Sequence, residues 1–205
     1  CYDLPGPTYR HEAYKDYKAQ RKSMEDALAT QINRSRDIFK AFNVPIYDKP
    51  GFEADDMLGT IVETAKKDKT LEIIIASGDM DTMQLGDKEH IKVYTLKKGI
   101  KDTIIYDEKA IKERFGFGPE LLPDYKGLRG DPSDNIVGIK GIGEKTASTL
   151  ISKFGTIEEI YKKLDKDKKD DKKSFKKTGI TDRIIKLLDE GKEEAEFSKM
   201  LATIR

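Results

Sequence analysis

The chain has 205 residues, enough to bury a core in one domain or in two small ones. A single cysteine and two histidines exclude an internal disulfide framework and argue against a metal site built on cysteine or histidine. No apolar run reaches the ~20 residues of a membrane span and no signal peptide is visible, which predicts a cytoplasmic protein without a membrane partner. The 39 basic and 38 acidic residues nearly cancel, but they are segregated, which is compatible with a basic binding face beside an acidic catalytic pit.

The first residues, Cys1 to Pro7, have the pattern of a strand end that runs into a Pro/Gly turn. Asp3 is therefore expected just past the carboxyl end of a strand, where open parallel sheets place their chemistry. For this segment alone, a turn-capping aspartate is the simpler interpretation. Because the chain opens at Cys1 and not at a methionine, we expect it to be a fragment of a longer protein.

Residues 9 to 22 are basic with interleaved tyrosines. This composition suits phosphate contacts from Arg and Lys and the stacking of bases on aromatic rings, although a solvated helix face gives the same pattern. Residues 25 to 42 form a predicted amphipathic helix, which we interpret as scaffold, and residues 44 to 47 a predicted edge strand. The helix has four apolar residues on one side: Leu28, Ile32, Phe39 and Phe42.

Glu53, Asp55 and Asp56 stand at the start of a predicted helix that follows a Pro-Gly pair. An acid in the first turn of a helix interacts favourably with the helix dipole, by ~0.3–1 kcal/mol. One or two acids would suffice for that. Three crowded carboxylates repel one another and raise one another's pKa unless a cation lies among them. The cluster is therefore better explained by a divalent metal.

Residues 71 to 76 read as a buried parallel strand that delivers Asp79 and Asp81 at its carboxyl end. Helix capping by Asp79 and solvent exposure of Asp81 are the structural alternatives, but two acids separated by one residue at a strand end fit metal ligation better. Two further strands, 91 to 96 and 103 to 106, precede a predicted helix from 108 to 115 with Asp107 as its N-cap.

After Gly116 the pattern changes to short helices and glycine turns. A predicted helix from 119 to 128 is followed by a turn in which Gly138, Gly141 and Gly143 allow close approach of a ligand, and by a helix from about Glu144 that offers N–H groups to a phosphate. This arrangement resembles the helix-hairpin-helix class of DNA-backbone binders.

The lysine-dominated segment from 162 to 177 is predicted to be a flexible loop, with transient DNA contact as the alternative. Two closing helices are predicted at 180 to 188 and 194 to 204.

Six motifs, in order and at approximate spacing, resemble the 5′-nuclease domain of bacterial DNA polymerase I and, more broadly, flap endonucleases. They are Asp3 with Tyr9-Arg10-His11-Glu12, Tyr17-Lys18-Ala19-Gln20-Arg21, Gly51 to Asp56, Gly78-Asp79-Met80-Asp81, Gly130 to Asn135 and Gly141 to Thr146. The resemblance implies an α/β fold, with a PIN-like, mostly parallel sheet flanked by helices in residues 1 to 115. A helix-three-turn-helix DNA-binding region follows in residues 116 to 205.

The resemblance also implies two-metal-ion hydrolysis of a phosphodiester, with two Mg²⁺ ions, for which Mn²⁺ substitutes, and a 5′-phosphate product. It places metal ligands at Asp3, Glu53, Asp55, Asp56, Asp79, Asp81, Asp131 and Asp134. It gives Lys18 and Arg21 a catalytic role at the scissile phosphate. DNA contacts fall at Arg10, Tyr17, Gly141, Gly143, Lys145 and Thr146, and the Gly141 to Thr146 turn is a K⁺ site in this family.

The resulting prediction is a structure-specific 5′-to-3′ nuclease of replication and repair. Its expected partners are DNA with a 5′ flap or nick, an RNA primer–DNA hybrid, and a fused or separate polymerase domain. The family pattern begins with a strand that ends in another metal-binding aspartate, followed by part of a helical arch, and neither precedes Cys1. A non-catalytic DNA-binding module is therefore one alternative, and a PIN-like ribonuclease is another.

Overall fold

The structure, a computed structural model, describes residues 1 to 87, 90 to 99, 101 to 169, 175 and 177 to 205. Its α-helices are α1 (Tyr9–Ala13), α2 (Asp26–Ala41), α3 (Ala54–Ala65), α4 (Glu108–Phe115), α5 (Leu122–Arg129), α6 (Glu144–Phe154), α7 (Ile157–Lys169), α8 (Asp182–Glu190) and α9 (Lys192–Ala202). Short 3₁₀ helices occupy Met80–Leu85 and Pro119–Leu121, and the strands are β1 (Ile73–Ala76), β2 (Ile91–Lys98) and β3 (Asp102–Tyr106). No helix among the described residues is both long and apolar enough to cross a membrane.

The described strands form one three-stranded sheet in the order β1-β2-β3. β1 and β2 are parallel, with Ile75 opposite Val93, whereas β2 and β3 are antiparallel, with Val93 opposite Tyr106. Alternate residues of β2 are buried, as expected for a strand with one face on the core. The α/β class is thus as predicted, but this sheet is mixed rather than mostly parallel. The reason is the short connection from β2 to β3, which allows only an antiparallel pair.

One continuous hydrophobic core joins the sheet to the C-terminal helices. Val93 of β2, Ile111 of α4 and Leu128 of α5 are almost fully buried in it. Helix α5 packs most extensively against α9. Gly127 permits this approach, because a Cβ added there would lie 2.8 Å from the carbonyl oxygen of Ala195. The core fixes α5, and therefore the acidic turn that follows it, relative to the end of β1.

Helix α2 does not act as the predicted scaffold, because none of its side chains is buried. Phe42, just after the helix, is 77% exposed. The helix contacts its surroundings through an Arg36–Asp48 ion pair of 2.5 Å and a 2.6 Å hydrogen bond between the hydroxyls of Ser35 and Tyr2. The rings of Phe39 and Tyr2 also meet edge-on, with centroids 6.4 Å apart. A periodic pattern indicates which side of a helix is apolar but not what lies against that side.

Two predicted strands are absent from the described structure. Residues 1 to 4 and 44 to 47 have no strand assignment and are joined by a 3.1 Å hydrogen bond from the Tyr2 N–H to the Tyr47 carbonyl. Pro45 has no N–H to donate to a ladder, which weakens any strand pairing there.

The predicted loop from 162 to 177 was also wrong over its first half, where α7 continues to Lys169. Ile157, Ile160, Tyr161 and Leu164 form its buried face at helical spacing. The abundance of lysine around them conceals this period in the sequence. Residues 170 to 174 and 176, and with them part of the predicted transient DNA contact, lie outside the described residues.

Candidate active site

The first turn of α3 contains the adjacent carboxylates of Asp55 and Asp56, which lie in opposite environments. Gly51, with φ of +82°, makes the turn before the helix, and Glu53 is its N-cap residue. The Asp56 carboxylate is fully buried and accepts backbone hydrogen bonds from Glu53 at 3.0 Å and Arg205 at 3.1 Å. It also accepts two hydrogen bonds from the Arg10 guanidinium, at 2.8 and 2.9 Å.

Arg10 connects α1, α3 and the last residues of the chain. Besides Asp56, its guanidinium donates to the carbonyls of Leu201 and Thr203, each at 2.8 Å, and the residue is only 3% exposed. We call Arg10, Asp56 and the backbone of residues 201 to 205 the closed network. Burial acts to raise the pKa of Asp56, but the hydrogen bonds from Arg10, Glu53 and Arg205, together with the charge of Arg10, outweigh it and lower that pKa.

The closed network corrects two predictions. Asp56 is not placed as a metal ligand, because both of its oxygens already accept hydrogen bonds and neither reaches solvent. Arg10 is not placed as a DNA contact, because its donors are used inside the protein. Both residues stabilise the fold around the site.

Tyr17 corrects a third prediction, that of a base-stacking ring. The residue is 3% exposed, and its hydroxyl lies 3.1 Å from the Glu53 carboxylate and 3.0 Å from that of Asp134, so its one proton is shared between them. Burial first, and then the charges of these two carboxylates, raise the pKa of Tyr17 well above its usual range, so the hydroxyl stays a donor. Its function in this structure is to hold the two acids in place.

Lys18 and Arg21 lie beside the same two acids. The Lys18 ammonium is 2.9 Å from Glu53 and 3.7 Å from Asp134, and Arg21 is 2.5 Å from Asp134. Lys18 has a left-handed backbone with φ of +56°, and its N–H donates to the Asp134 carbonyl at 3.0 Å. Assignment of Glu53 and Asp134 as metal ligands stays a prediction; in this structure they orient the two cations.

A second group of acids forms what we call the acidic cleft: Asp3, Asp55, Asp79, Asp81 and Asp131. The end of β1 delivers Asp79, which caps the following 3₁₀ helix by accepting from the Asp81 N–H at 2.9 Å. Asp3 accepts from the Ala54 N–H at 2.7 Å. Asp131 follows α5 and is held by a two-way backbone pairing with Ile136.

Electrostatics link these acids across the chain. Burial, followed by the charges of Asp79, Asp81 and Asp3, raises the pKa of Asp55 to about 7. The pKa of Asp81 is also raised, mainly by burial. Carboxylates with raised pKa values in a cleft are typical of functional sites, because the folded chain holds them against their mutual repulsion.

Lys126 of α5 lies within the acidic cleft and was missed by the sequence analysis. Its ammonium contacts the carboxylates of both Asp81 and Asp131, the latter at 2.5 Å. It belongs to a cleft of about 450 Å³ whose lining also includes Arg21, Arg114, Phe115, Tyr125 and Arg129. One sequence signal could have indicated Lys126. It lies five residues before Asp131 and three before Arg129, on the helix that leads into the acidic turn.

The donor chemistry of the acidic cleft fits a hard divalent cation, since it consists of carboxylate oxygens that repel one another. Among the described residues, however, no three acids or histidines stand as a ready set of metal ligands. Because Lys126 lies between Asp81 and Asp131, a metal that used both would have to replace its ammonium.

The predicted backbone-binding turn lies on the surface before α6. Gly141 and Gly143 are exposed, as is Lys145, and Thr146 is half-buried. Gly141 has φ of +95°, and Gly143 is the N-cap of α6. Gly138 was predicted to allow close approach of a ligand, but it is buried. A Cβ at this position would collide with the backbone of Gly130, so the glycine permits close packing inside the protein. DNA contact by the other four residues stays a prediction.

Two known families divide the chain between them. Residues 1–116 match the family described as "5'-3' exonuclease, N-terminal resolvase-like domain". Residues 117–205 match the family described as "5'-3' exonuclease, C-terminal SAM fold". The resemblance based on six motifs is thereby confirmed.

Bacterial DNA polymerases I are similar in sequence. The chain is 42% identical over 207 residues to DNA polymerase I of Caldicellulosiruptor bescii, in a match that covers 100% of this chain and 22% of that protein. For Bacillus caldotenax the identity is 38% over 205 residues, with the same coverage. The chain therefore spans about a fifth of the length of these relatives.

Solved structures share the fold. A T5 5'-exonuclease with bound zinc has a TM-score of 0.73 at 23% identity, and the match covers 98% of this chain and 71% of that one. The catalytic core of Rad2 in complex with a DNA substrate has a TM-score of 0.53 at 19% identity, covering 93% and 55%. The predicted fold class, a PIN-like α/β region followed by a helical region, is confirmed.

Proposed function

We propose that this chain, which belongs to the 5′-3′ exonuclease family, hydrolyses phosphodiester bonds in DNA that carries a 5′ flap or a nick. One observation carries the proposal: folding brings the five aspartates of the acidic cleft, from four separate segments, close enough to interact electrostatically. Lys18 and Arg21 lie beside it, and Lys18 also lowers the pKa of Asp55, which places its charge within reach of the acids. The relatives named DNA polymerase I, and the similar Rad2 structure with DNA, support DNA as the substrate.

We propose Mg²⁺ as the cofactor, two ions per site, with Mn²⁺ as a substitute. The acidic cleft is the part of the chain that would hold them, and similar T5 structures contain divalent metal ions. When bound, such ions lower the pKa of a water and neutralise charge on a phosphate. The carboxylates of Asp55, Asp79 and Asp81 would orient the ions, because the start of α3 and the end of β1 bring these three acids close together.

Cationic side chains of the chain itself would act on the phosphate alongside the metal ions. Lys18 and Arg21 are fixed by Glu53 and Asp134, so they enter the reaction already oriented. We propose that they contact the scissile phosphate and offset the negative charge that develops during attack. Arg114 and Arg129, on the wall of the same cleft, would contact the neighbouring phosphates.

We propose that residues 1 to 115 supply most of the nuclease site, which Lys126, Asp131 and Asp134 complete. Residues 116 to 205 also bind the duplex. Gly141, Gly143, Lys145 and Thr146 would hold its phosphate backbone through exposed N–H groups and one ammonium, with K⁺ bound at this turn. An RNA primer–DNA hybrid and a fused or separate polymerase belong to the same proposal. A cytoplasmic location fits these partners.

The test uses protein expressed from the full reading frame that encodes this chain. Three labelled substrates of one sequence are compared with Mg²⁺ and with EDTA: a 5′-flap duplex, a nicked duplex and single-stranded RNA. We expect Mg²⁺-dependent cutting of the two DNA substrates and little of the RNA. Binding of flap DNA without cutting would instead identify a non-catalytic binding module, and preferred cutting of RNA would identify a ribonuclease.

A further inference from the structure

Lys126 occupies an unusual position for a lysine. Its side chain is only 12% exposed, and its ammonium lies between the carboxylates of Asp81 and Asp131, which come from segments fifty residues apart. Lysines are seldom buried to this degree unless they are paired with acids. Here the pairing uses one acid of the 3₁₀ helix after β1 and one of the turn after α5.

The ammonium therefore supplies positive charge at the place where the proposed function requires a divalent cation. One positive charge cannot balance the acidic cleft, since the ammonium contacts only two of its five carboxylates. A divalent ion brings twice the charge and accepts several oxygen ligands at once. The two cations should therefore compete for the same oxygens.

The chain also allows Lys126 to move. Lysine is a compact charge on a flexible four-carbon stem, unlike the rigid fork of arginine. The cleft that Lys126 lines has a volume of about 450 Å³, and Arg129 and Tyr125 of the same helix also line it. The ammonium can thus leave the two carboxylates without any change in α5.

We propose that Lys126 is an internal counter-ion of the metal site, which holds Asp81 and Asp131 together in the metal-free protein and is displaced when a divalent cation binds. The inference rests on the proposed function, because it requires a metal in the acidic cleft. Once displaced, the ammonium lies in the cleft where a phosphate of the DNA would be its natural partner.

Lys199 of α9 provides a matched control. Its ammonium also lies between two carboxylates, those of Asp124 at 2.6 Å and Glu158 at 2.8 Å, and its side chain is 24% exposed. That pair of acids is outside the acidic cleft. Lys126→Met and Lys199→Met each remove an ammonium from between two acids, but only the first removes a competitor of the metal.

The first measurement is Mg²⁺ binding by calorimetry, together with thermal unfolding in EDTA. Both variants should be less stable than the natural protein in EDTA. Lys126→Met should bind Mg²⁺ roughly tenfold more tightly, since an adjacent opposing charge is removed. Lys199→Met should bind Mg²⁺ as the natural protein does.

The second measurement separates displacement from simple charge repulsion. In NMR spectra of the natural protein with ¹⁵N-labelled lysine side chains, the Lys126 ammonium should give a protected signal that moves or disappears as Mg²⁺ saturates. The Lys199 signal should persist unchanged. This experiment needs no variant, so it remains decisive even if Lys126→Met fails to fold.

The outcomes distinguish the two proposals. If the natural protein binds Mg²⁺ while Lys126→Met binds it no more tightly, or while the Lys126 signal is unchanged at saturation, the counter-ion inference is wrong and the nuclease proposal stands. If the natural protein binds no Mg²⁺ in the cleft, both are wrong.

Discussion

The closed network and the acidic cleft begin at adjacent residues of the same helix. Asp56 is fully buried beside Arg10, and its pKa is lowered, whereas the pKa of Asp55 is raised to about 7 among other acids. Successive residues of a helix point about 100° apart, so the two carboxylates meet different parts of the protein. Their roles follow from whether a neighbouring segment supplies a cation, which the local sequence does not reveal.

The closed network contributes to stability, and the acidic cleft to the proposed chemistry. In the closed network each charge is matched, so removal of one partner should destabilise the protein without any direct effect on reacting groups. In the acidic cleft the carboxylates outnumber the cations, so removal of Asp55 or Asp79 should relieve repulsion while it removes a proposed metal ligand. Substitutions in the closed network should therefore lower stability, whereas substitutions in the acidic cleft should lower activity.

The largest effect is expected for Asp79→Asn in the acidic cleft. It should lower the rate of flap cleavage by roughly 10³-fold or more, because metal-ion catalysis contributes several kcal/mol to such reactions. Thermal stability in EDTA should stay the same or increase. Asp102→Asn, at the exposed start of β3, is the control and should leave cleavage unchanged. Cleavage within tenfold of the natural rate would remove Asp79 from the site.

In the closed network, Arg10→Met should lower the free energy of unfolding by about 3–5 kcal/mol, because it leaves the Asp56 carboxylate buried and unpaired. Urea unfolding measures this loss. Arg36→Met breaks the more exposed Arg36–Asp48 pair and should cost about 1 kcal/mol or less. Equal losses in the two variants would contradict the distinction between buried and surface pairs.

The pH dependence of stability should differ at the two adjacent aspartates. The folded pKa of Asp55, about 7, lies above its ordinary value of 3.8, so the folded protein binds the extra proton. Stability of the metal-free protein should therefore fall as pH rises from about 4 to about 7, by up to about 4 kcal/mol from this group.

Asp55→Asn should flatten that fall in urea unfolding measured in EDTA. For Asp56 the sign is reversed. Because its pKa is lowered in the folded protein, this group contributes stability at pH values above its ordinary pKa, and the contribution is lost as the pH decreases through the folded pKa. A fall of the same size in Asp55→Asn would show that other groups cause it.

The smallest effect is expected at the surface turn before α6. Lys145→Ala should weaken DNA binding by about 1 kcal/mol and reduce the slope of log K against log salt by about 1. Binding is measured by anisotropy at several salt concentrations. Lys109→Ala on α4 removes an exposed lysine elsewhere and should leave the slope unchanged. Equal slopes for the two variants would argue against a phosphate contact at Lys145.

Local signals predicted local structure well. The helix from 108 to 115 was predicted with its observed ends, and Asp107 caps it through a 2.8 Å hydrogen bond from the Ala110 N–H. Both the capping residue and the terminal glycine are adjacent in sequence to the helix. α7 was not predicted, because its four apolar residues are separated by pairs of glutamates and lysines and are followed by a lysine-rich run.

Long-range partners could not be predicted in the same way. Asp56 looks like Asp55 in the sequence, and its partner Arg205 lies 149 residues further along. Tyr17 lies in a basic segment with several tyrosines, which is typical of base stacking. Its hydroxyl instead contacts Asp134, 117 residues away. The acids of the cleft were found because strand ends and helix starts place them, whereas Lys126 is defined only by what it touches.

The most direct measurement of the proposed metal site is an anomalous difference map from crystals of this protein soaked in Mn²⁺. We expect strong peaks among Asp55, Asp79, Asp81 and Asp131, with the Lys126 ammonium moved away from its two carboxylates. Saturating Mn²⁺ without a peak in the acidic cleft would contradict the assignment of this chain's catalytic centre.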